Sequence, residues 1–313
     1  MSQKLLVALT VVSLSVVMLF TGCGPDAKIG LALNSGDVST YRSGYETKQS
    51  VELDMAQETP NKDKHNTKKV EVTFTQEIQS VNDDSSAVAK ITLMDISILT
   101  KDSDVVSFSF DSSKQEDQKR SLNALIGKSY TINISSDGKV TPSDVMAIRS
   151  VKFTGSERNV AKNLLSDLEI ISRHEIHLPG KDIATVKEGE GWSKIVWSHP
   201  KIMARKSFEK TYVLDSVTGN IANVTMTAYE TDKSAEGVAP KGSGFGFMAG
   251  MFDRQEKYSG EMKIDLDTGK VVKWNETCIA DYIVTDKTSK NDKGEPASLK
   301  MGLTHSISLE KID

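Results

Sequence analysis

The sequence predicts an α+β fold, in which a large, twisted antiparallel β-sheet, open and half-barrel-like, is covered by two amphipathic helices. Three observations predict this class. Runs rich in Val, Ile, Thr, Tyr and Phe recur along the chain, glycine-containing turns separate them, and only two segments have helical periodicity. With 313 residues, 38% of them hydrophobic, the chain can bury a core without a disulfide framework.

The N-terminal part of the predicted sheet begins with three strands, at 39–53, 70–78 and 87–98. In the second strand apolar and polar residues alternate from Val70 to Phe74, which is typical of a strand with one solvated face. Segment 59–69, between the first two strands, is polar. We therefore expect an exposed hairpin loop there.

Two segments predict helices. The first, 114–126, places its leucines on one side and ends at Gly127, a residue suited to a left-handed cap. The second begins at the capping-box sequence 154–157. Its apolar face consists of Val160, Leu164, Leu168 and Ile171. Because each helix has one apolar face, both are expected to cover the sheet.

A repeated turn predicts two hairpins in the C-terminal part of the chain. Segments 214–221 and 264–271 align without a gap as apolar-Asp-x-x-Thr-Gly-x-β-branched. Gly219 and Gly269 supply the positive φ that such a turn requires. Each repeat is therefore expected to join two antiparallel strands.

The segment after the second hairpin is predicted to be a long strand with one apolar face. Its even-numbered positions carry that face: Val272, Trp274, Cys278, Ala280, Tyr282 and Val284. Glu276 falls on the same face and interrupts the pattern. Cys278 lies in the middle of this strand, which favours a packed thiol over a reactive one.

The beginning of the chain has the layout of an export signal. Lys4 precedes an apolar run at 5–20 that is short for a membrane span. The run ends in Phe20-Thr21-Gly22-Cys23. This segment resembles the precursors of bacterial lipoproteins, in which small residues precede an invariant cysteine, although Phe20 departs from the usual Leu.

This resemblance implies that Cys23 receives a diacylglyceryl group and then, after cleavage, a further acyl chain such as palmitate. The chain would comprise a signal peptide (1–22), a lipidated cysteine with a tether (23–36) and a globular body (37–313). Acyl chains anchor a protein to a membrane without spanning it. Gly24-Pro25, where an Asp would signal inner-membrane retention, implies the outer membrane of the cell envelope. The alternative is an ordinary signal peptide or anchor helix in which Cys23 falls by chance.

The body forms either one unit or two halves, 37–180 and 181–313, with a boundary at Leu178-Pro-Gly180. The Leu-Pro sequence, the later Gly191-Trp192 and the Thr-Gly hairpins resemble uncharacterised envelope lipoprotein families. That resemblance implies an open half-barrel similar to those of lipoproteins that carry or insert lipids. It implies no functional residue.

Composition and motifs exclude several functions. A net charge of −4 and a pI near 5.8 argue against a nucleic-acid binder. His174 and His177 are spaced i, i+3, whereas zinc proteases place two histidines at i, i+4. No GxSxG elbow occurs, and the glycine-rich segment 241–253 lacks the spacing of a phosphate-binding loop. We therefore expect no catalytic residue, no metal and no cofactor.

The glycine-rich segment is the candidate contact site for a ligand or membrane. Its apolar residues are Phe245, Phe247, Met248, Met251 and Phe252. Either this segment packs under the sheet as a plug, or it touches lipid or a ligand. The tryptophans allow the same two interpretations, core packing or a pocket wall: Trp192, Trp197 and Trp274.

The predicted function is that of a non-enzymatic, lipid-anchored binding protein for an apolar ligand or an envelope partner. The alternatives are a structural envelope component and a hydrolase whose site is assembled from residues distant in sequence. An apolar cavity would favour a carrier. A cluster of carboxylate and histidine at a pocket would favour the hydrolase.

Overall fold

The computed structural model describes residues 26–54, 63–179, 185–197, 207–235, 253–291 and 293–313. Cys23 and the predicted contact residues Phe245, Phe247, Met248, Met251 and Phe252 lie outside the described residues. The expectations about them stay predictions. Across the described ranges, no helix is long and apolar enough to cross a membrane.

The described residues form twelve strands, three α-helices and two short 3-10 helices. The strands are β1 Val38–Asp54, β2 Asp63–Val81, β3 Ala87–Asp102, β4 Val105–Asp111, β5 Ser129–Ile134, β6 Val140–Asp144, β7 Gly191–Trp197, β8 Ser207–Thr218, β9 Ile221–Thr231, β10 Asp253–Asp265, β11 Lys270–Lys290 and β12 Pro296–Lys311. The α-helices are α1 Met146–Arg149, α2 Glu157–Leu164 and α3 Asp167–His174, and the 3-10 helices are Asp117–Lys119 and Ser121–Leu125.

All strands belong to one antiparallel sheet in the order β6-β5-β3-β2-β1-β12-β11-β10-β9-β8-β7, with β4 paired to β3. The first and last strands pair at its centre, from Tyr41 opposite Lys311 to Asp54 opposite Ser298. The sheet is open, with β6 and β7 at its edges. The predicted large antiparallel sheet is confirmed. The α+β class is wrong, because strands dominate and the helices are short, so the protein is mainly β.

The first predicted helix, 114–126, is two short 3-10 helices separated by Arg120, whose backbone is extended. Arg120 donates hydrogen bonds to Asp117 at 2.8 Å and to Glu157 at 2.6 Å. Leu122 and Leu125 are nevertheless fully buried. A spacing of three residues puts both leucines on one side of a 3-10 turn as well as of an α-helix, so the pattern predicted burial but not helix type.

The second predicted helix is two helices, α2 and α3, which are separated at Leu165 and Ser166. Ser166 is the N-cap of α3 and accepts a hydrogen bond from the backbone N–H of Glu169 at 3.3 Å. The predicted capping box at 154–157 does not form, because α2 begins only at Glu157 and the Glu157 carboxylate accepts hydrogen bonds from Arg120 and from Leu122 instead. A second cap inside the apolar pattern therefore allows the chain to turn and lay α3 on the sheet.

Strand signals were more reliable than helix signals. Both repeated turns are hairpins, joining β8 to β9 and β10 to β11, with φ of 62° at Gly219 and at Gly269. The loop predicted at 59–69 is shorter, because β2 already begins at Asp63 and pairs with the far end of β1. Cross-strand pairing there overrides the polar composition.

One apolar core spans both sides of the boundary expected near residue 180, and includes Phe74 and Trp274. Ahead of β1, the buried side chains of Ala27 and Ile29 join the same core. Ala27 also exchanges two backbone hydrogen bonds with Val186 at 2.8 Å. The described residues 26–36 are therefore packed against the body.

The sheet curves strongly, so that its two edges approach each other. Lys194 on the edge strand β7 contacts Asp137, in the turn between β5 and β6, at 3.0 Å. Register shifts interrupt several pairs, among them β2–β3 and β8–β9, and such bulges increase twist and bending. The residues after α3 link the edges, because Ile176 donates to Gly138 O and His177 O accepts from the Trp192 indole. This curvature creates a concave face.

Candidate functional site

Helix α3 lies on the concave face and is fixed there by buried polar contacts. His174 Nε2 and the Tyr130 hydroxyl are hydrogen-bonded at 2.7 Å, and the rings of His174 and Phe74 meet edge to face at 4.6 Å. Burial, followed by the nearby charge of Arg173, holds the pKa of His174 well below its usual range. A neutral His174 accepts a hydrogen bond from the Tyr130 hydroxyl. On each side of α3 a cavity remains open.

The first cavity has a volume of about 500 Å³ and is enclosed by α3 and strands β1 to β4 and β12. Hydroxyl, amide and charged side chains dominate its lining. Thr47 Oγ1 and His305 Nδ1 are 2.8 Å apart. The Lys68 ammonium lies 5.3 Å from the centre of the Tyr45 ring, a cation–π distance. This cavity therefore offers a ligand hydrogen-bonding and charged groups beside some apolar surface.

Arg173 is the most buried cation of the first cavity, with only 5% of its surface exposed. Its guanidinium donates to the Tyr130 hydroxyl at 3.2 Å and to the Leu164 carbonyl at 3.1 Å. Both acceptors are neutral. Within the described ranges, no carboxylate forms an ion pair with Arg173.

The second cavity has a volume of about 560 Å³ and lies between α3 and strands β6, β7, β8, β10 and β11. Ser172 and Ile307 line both cavities, so the two adjoin beside α3. Part of the wall of the second cavity is apolar or aromatic: Val140, Leu168, Ile171, Ile195, Val196, Trp197 and Trp274. Charged side chains line the remainder.

A buried ion pair forms the floor of the second cavity. The Lys210 ammonium contacts the two Glu276 oxygens at 2.8 and 2.6 Å, and these side chains are 5% and 1% exposed. Tyr258 donates its hydroxyl hydrogen to Glu276 at 2.8 Å. The same ammonium lies 4.9 Å from the Tyr258 ring centre and 5.9 Å from that of Trp274. Burial of this pair is therefore compensated by hydrogen bonds and by aromatic faces.

The absence of a side chain at Gly260 allows Glu276 and Lys210 to meet across the sheet. Gly260 on β10 is paired with Glu276 on β11. Lys210 lies on β8, two strands beyond β10 on the other side. A Cβ on Gly260 would lie 2.6 Å from Asn275 O and 3.0 Å from Glu276 Cγ. Only a residue without a side chain leaves room for Glu276 to cross β10.

Glu175 and His177 follow α3 and also line the second cavity. Burial raises the pKa of Glu175 to about 7, against the opposing effects of Lys139 and Lys210. Burial, together with the charges of Lys210 and Lys194, lowers the pKa of His177 to about 3. His177 Nδ1 lies 3.9 Å from Glu175 Oε1. At neutral pH, His177 is uncharged and Glu175 is poised to exchange a proton.

The structure brings together some of the residues singled out by sequence. His177, Trp197 and Trp274 line the second cavity, whereas Trp192 stacks on Tyr212 with ring centres 5.3 Å apart. The packed thiol expected at Cys278 is confirmed, since the residue is buried and forms no disulfide.

Sequence reasoning missed Arg173, Glu175 and Lys210. A signal did exist for Lys210 and its partner. Glu276 interrupts the apolar face of β11, and Lys210 interrupts that of β8 between Phe208 and Tyr212. Paired interruptions of opposite charge on two strands of one sheet predict a buried ion pair.

No family model matches the chain, and a search of curated proteins finds no significant relative. Two of the solved structures that are similar share 9% sequence identity with it. The first is a structure of lipovitellin that concerns its lipid–protein interactions. This match has a TM-score of 0.46 and covers 90% of this chain but 25% of the lipovitellin chain. The second is Pseudomonas aeruginosa OccK7 (OpdD). This match has a TM-score of 0.23 and covers 88% of this chain and 99% of the OccK7 chain. Neither likeness extends to function.

Proposed function

We propose that this protein is a non-enzymatic binding protein that holds an amphipathic molecule on the concave face of its sheet. One observation carries the proposal. Two adjoining cavities flank α3, of about 500 and 560 Å³. The first is lined mainly by hydroxyl, amide and charged side chains, whereas the second combines an apolar and aromatic wall with charged side chains. Volumes of this size are typical of small-molecule sites.

The arrangement fits a ligand with two chemically different ends. Its polar end would lie in the first cavity among hydroxyl, amide and charged groups. Its apolar end would pass Ile307 and Ser172, which line both cavities, and contact Leu168, Ile171 and Trp274. A wholly apolar ligand, the simplest sequence-based expectation, would place hydrocarbon against the hydroxyl, amide and charged side chains of the first cavity.

The proposal includes the cellular address predicted from sequence. Acyl chains on Cys23 insert into the outer membrane of the cell envelope and hold the body at its surface. An open concave face near a lipid surface suits a protein that receives an amphipathic molecule. Detection of an unmodified Cys23 in the mature protein would contradict the anchor and leave the cavities unaffected.

A photoreactive fatty acid carrying a diazirine on its chain tests the binding proposal. The full chain is irradiated with this probe, and the labelled peptides are identified by mass spectrometry. We expect labelling of α3 and of the strands that line the second cavity. Ser172→Trp places a bulky ring where the two cavities adjoin and should reduce this labelling about tenfold. Ser150→Trp, at an exposed position after α1, is the matched control, and labelling spread evenly over the surface would contradict the proposal.

A hydrolase is the second candidate, because Glu175, His177 and Glu276 line one cavity and the pKa of Glu175 is raised to about 7. A carboxyl with that pKa is suited to general acid–base catalysis. Glu276, by contrast, is held in the ion pair with Lys210. Turnover of p-nitrophenyl acyl esters that is abolished by Glu175→Gln would favour this candidate. Unchanged ester hydrolysis in the variant would exclude it.

A further inference from the structure

We infer that the first cavity binds the anionic group of an amphipathic ligand, with the Arg173 guanidinium as its counter-charge. This inference rests on the proposed function and specifies the chemistry of the polar end. The anionic group is a carboxylate or a phosphate. Its apolar chain extends past Ile307 into the second cavity.

The burial of Arg173 is the first observation that carries the inference. A guanidinium with 5% exposure has lost most of its hydration, and its hydrogen bonds to Tyr130 and Leu164 reach neutral oxygens only. The Glu169 charge lies in the same cavity, but burying a cation whose hydrogen bonds reach no carboxylate is still costly. A bound anion would remove that cost, and would do so at the wall of a cavity large enough to hold it.

The charges around the cavity are the second observation. Three cationic side chains line it, Lys68, Lys101 and Arg173, against the carboxylates of Asp102 and Glu169. The balance is positive in a chain whose net charge is −4. These five side chains carry one more positive than negative charge, whereas the protein as a whole is acidic.

The position of Arg173 relative to Tyr45 is the third observation. Burial raises the pKa of Tyr45; the Glu169 charge adds to this effect and the Arg173 charge opposes it. Both charges therefore act at the Tyr45 hydroxyl, which keeps its proton. Tyr45 and Thr47 on β1 and Ser172 on α3 are hydroxyl-bearing residues that line the same cavity. An anion beside Arg173 would find hydrogen-bond donors around it, which strengthens binding of a charged acceptor.

His174 does not neutralise the site or add a second cation. It adjoins Arg173 in α3, but its ring contacts Phe74 and Tyr130, and it remains neutral. His305, the cross-strand neighbour of Thr47 on β12, is hydrogen-bonded to Thr47. Arg173 therefore supplies the permanent positive charge at the bottom of the cavity, and Lys101 supplies one from β3.

Two probes with the same chain test the inference. The full chain is titrated with the diazirine fatty acid and with its methyl ester, and labelling of the cavity peptides is quantified. We expect the acid to label about tenfold more strongly than the ester at low concentration. Arg173→Gln should lower labelling by the acid to the level of the ester and leave the ester unchanged. Arg173→Lys, which keeps the charge, should retain part of the preference.

A second variant protects the test against misfolding of Arg173→Gln. Lys101→Ala, at a half-buried position, should reduce labelling by the acid about two- to threefold, since a charge at the rim contributes less than a buried one. Lys90→Ala is its control, because Lys90 lies on the same strand outside the cavity and pairs with Glu77. Equal effects of the two alanine variants would count against the inference.

The outcomes separate this inference from the proposed function. If acid and ester label the cavities equally and Arg173→Gln changes neither, the anion inference is overturned and the binding function stands. If neither probe labels the cavities, the binding function itself is contradicted. Excess inorganic phosphate distinguishes the source of the anion. A preference for the acid that survives phosphate supports an amphipathic ligand, whereas its loss assigns the site to free phosphate and overturns the proposed occupant.

Discussion

The first and second cavities share α3 and one concave face, but their charged side chains are paired differently. In the second cavity, Lys210 is paired with Glu276, Lys194 with Asp137 and Lys233 with Glu209. In the first, Arg173 is as deeply buried as Lys210 and has only neutral hydrogen-bond acceptors among the described residues. A buried charge whose partner lies within the protein stabilises the fold, whereas a buried charge without one indicates a partner from outside.

The largest expected effect concerns the Lys210–Glu276 pair. Glu276→Gln leaves a buried ammonium uncompensated and should lower the free energy of unfolding by about 3–5 kcal/mol. Replacing both residues by leucine should restore most of that loss, because well-packed apolar residues often replace a buried pair without cost. Urea denaturation of the two single variants and of the double variant measures this coupling. Additive losses would mean that the pair does not act as a unit.

The next effect is the pH dependence of Glu175. The pKa of this buried carboxyl, about 7, lies above its ordinary value of 4.5, so the folded protein retains a proton that the unfolded chain releases. Stability from this group is full below pH 4.5 and is lost as the pH rises to about 7. The loss is at most about 3 kcal/mol, and Glu175→Gln should remove it from a series of unfolding curves between pH 4.5 and 7.

His177 should show the opposite slope, which provides an internal check on that measurement. Its pKa is lowered from 6.5 to about 3, so the unfolded chain takes up a proton first as the pH falls. Stability from a neutral His177 is present above pH 6.5 and is lost towards pH 3. A variant His177→Asn whose stability falls with acid as steeply as that of the parent chain would contradict the burial described for this ring.

A smaller effect distinguishes two glycines, Gly44 on the wall of the first cavity and Gly260 beside the ion pair of the second. A Cβ at Gly260 would lie 2.6 Å from a backbone oxygen, whereas one at Gly44 would meet its nearest atoms at 3.3 Å. Gly260→Ala should therefore destabilise the protein by about 2 kcal/mol through overpacking. Gly44→Ala should cost clearly less. Equal melting temperatures for the two variants would show that the Glu276 side chain does not need the space above β10.

The smallest effect is expected for Arg173→Met. The variant loses two hydrogen bonds but also removes a buried charge without an acidic partner, and these terms oppose each other. We expect a change of about 1 kcal/mol or less in the free energy of unfolding without ligand. A loss as large as that of Glu276→Gln would show that Arg173 is compensated within the protein, and the contrast between the cavities would disappear.

The sequence predicted the sheet better than the site. Gly219 and Gly269 mark hairpins because a positive φ is a local requirement of the turn. At Gly269 a distant contact adds to it, since a Cβ there would lie 2.3 Å from Gly30 O. The helices were predicted less well. Their periodicity identifies the buried side, but contacts of Arg120 and the cap at Ser166 decide where each helix ends. These contacts join residues far apart in sequence or compete with a stronger local pattern.

The cavities could not be predicted from the sequence for the same reason. Arg173 comes from a helix whose placement depends on Tyr130 and Phe74, and Glu276 meets Lys210 across 66 residues of chain. In the sequence, only the charged residues that interrupt the apolar faces of β8 and β11 indicated the ion pair. For Arg173 no sequence pattern distinguishes a buried helical arginine from a solvated one.

Pairing of β1 with β12 imposes an order on folding. Tyr41 and Lys311 are opposite each other at the centre of the sheet, so the middle of the sheet closes only after β12 has been synthesised. Contacts of such sequence separation are slow to form. Until then one edge of β1 stays unpaired, as does the neighbouring edge of β11, and such edges favour aggregation. A nascent chain of this protein therefore cannot complete the described sheet before β12 has been made.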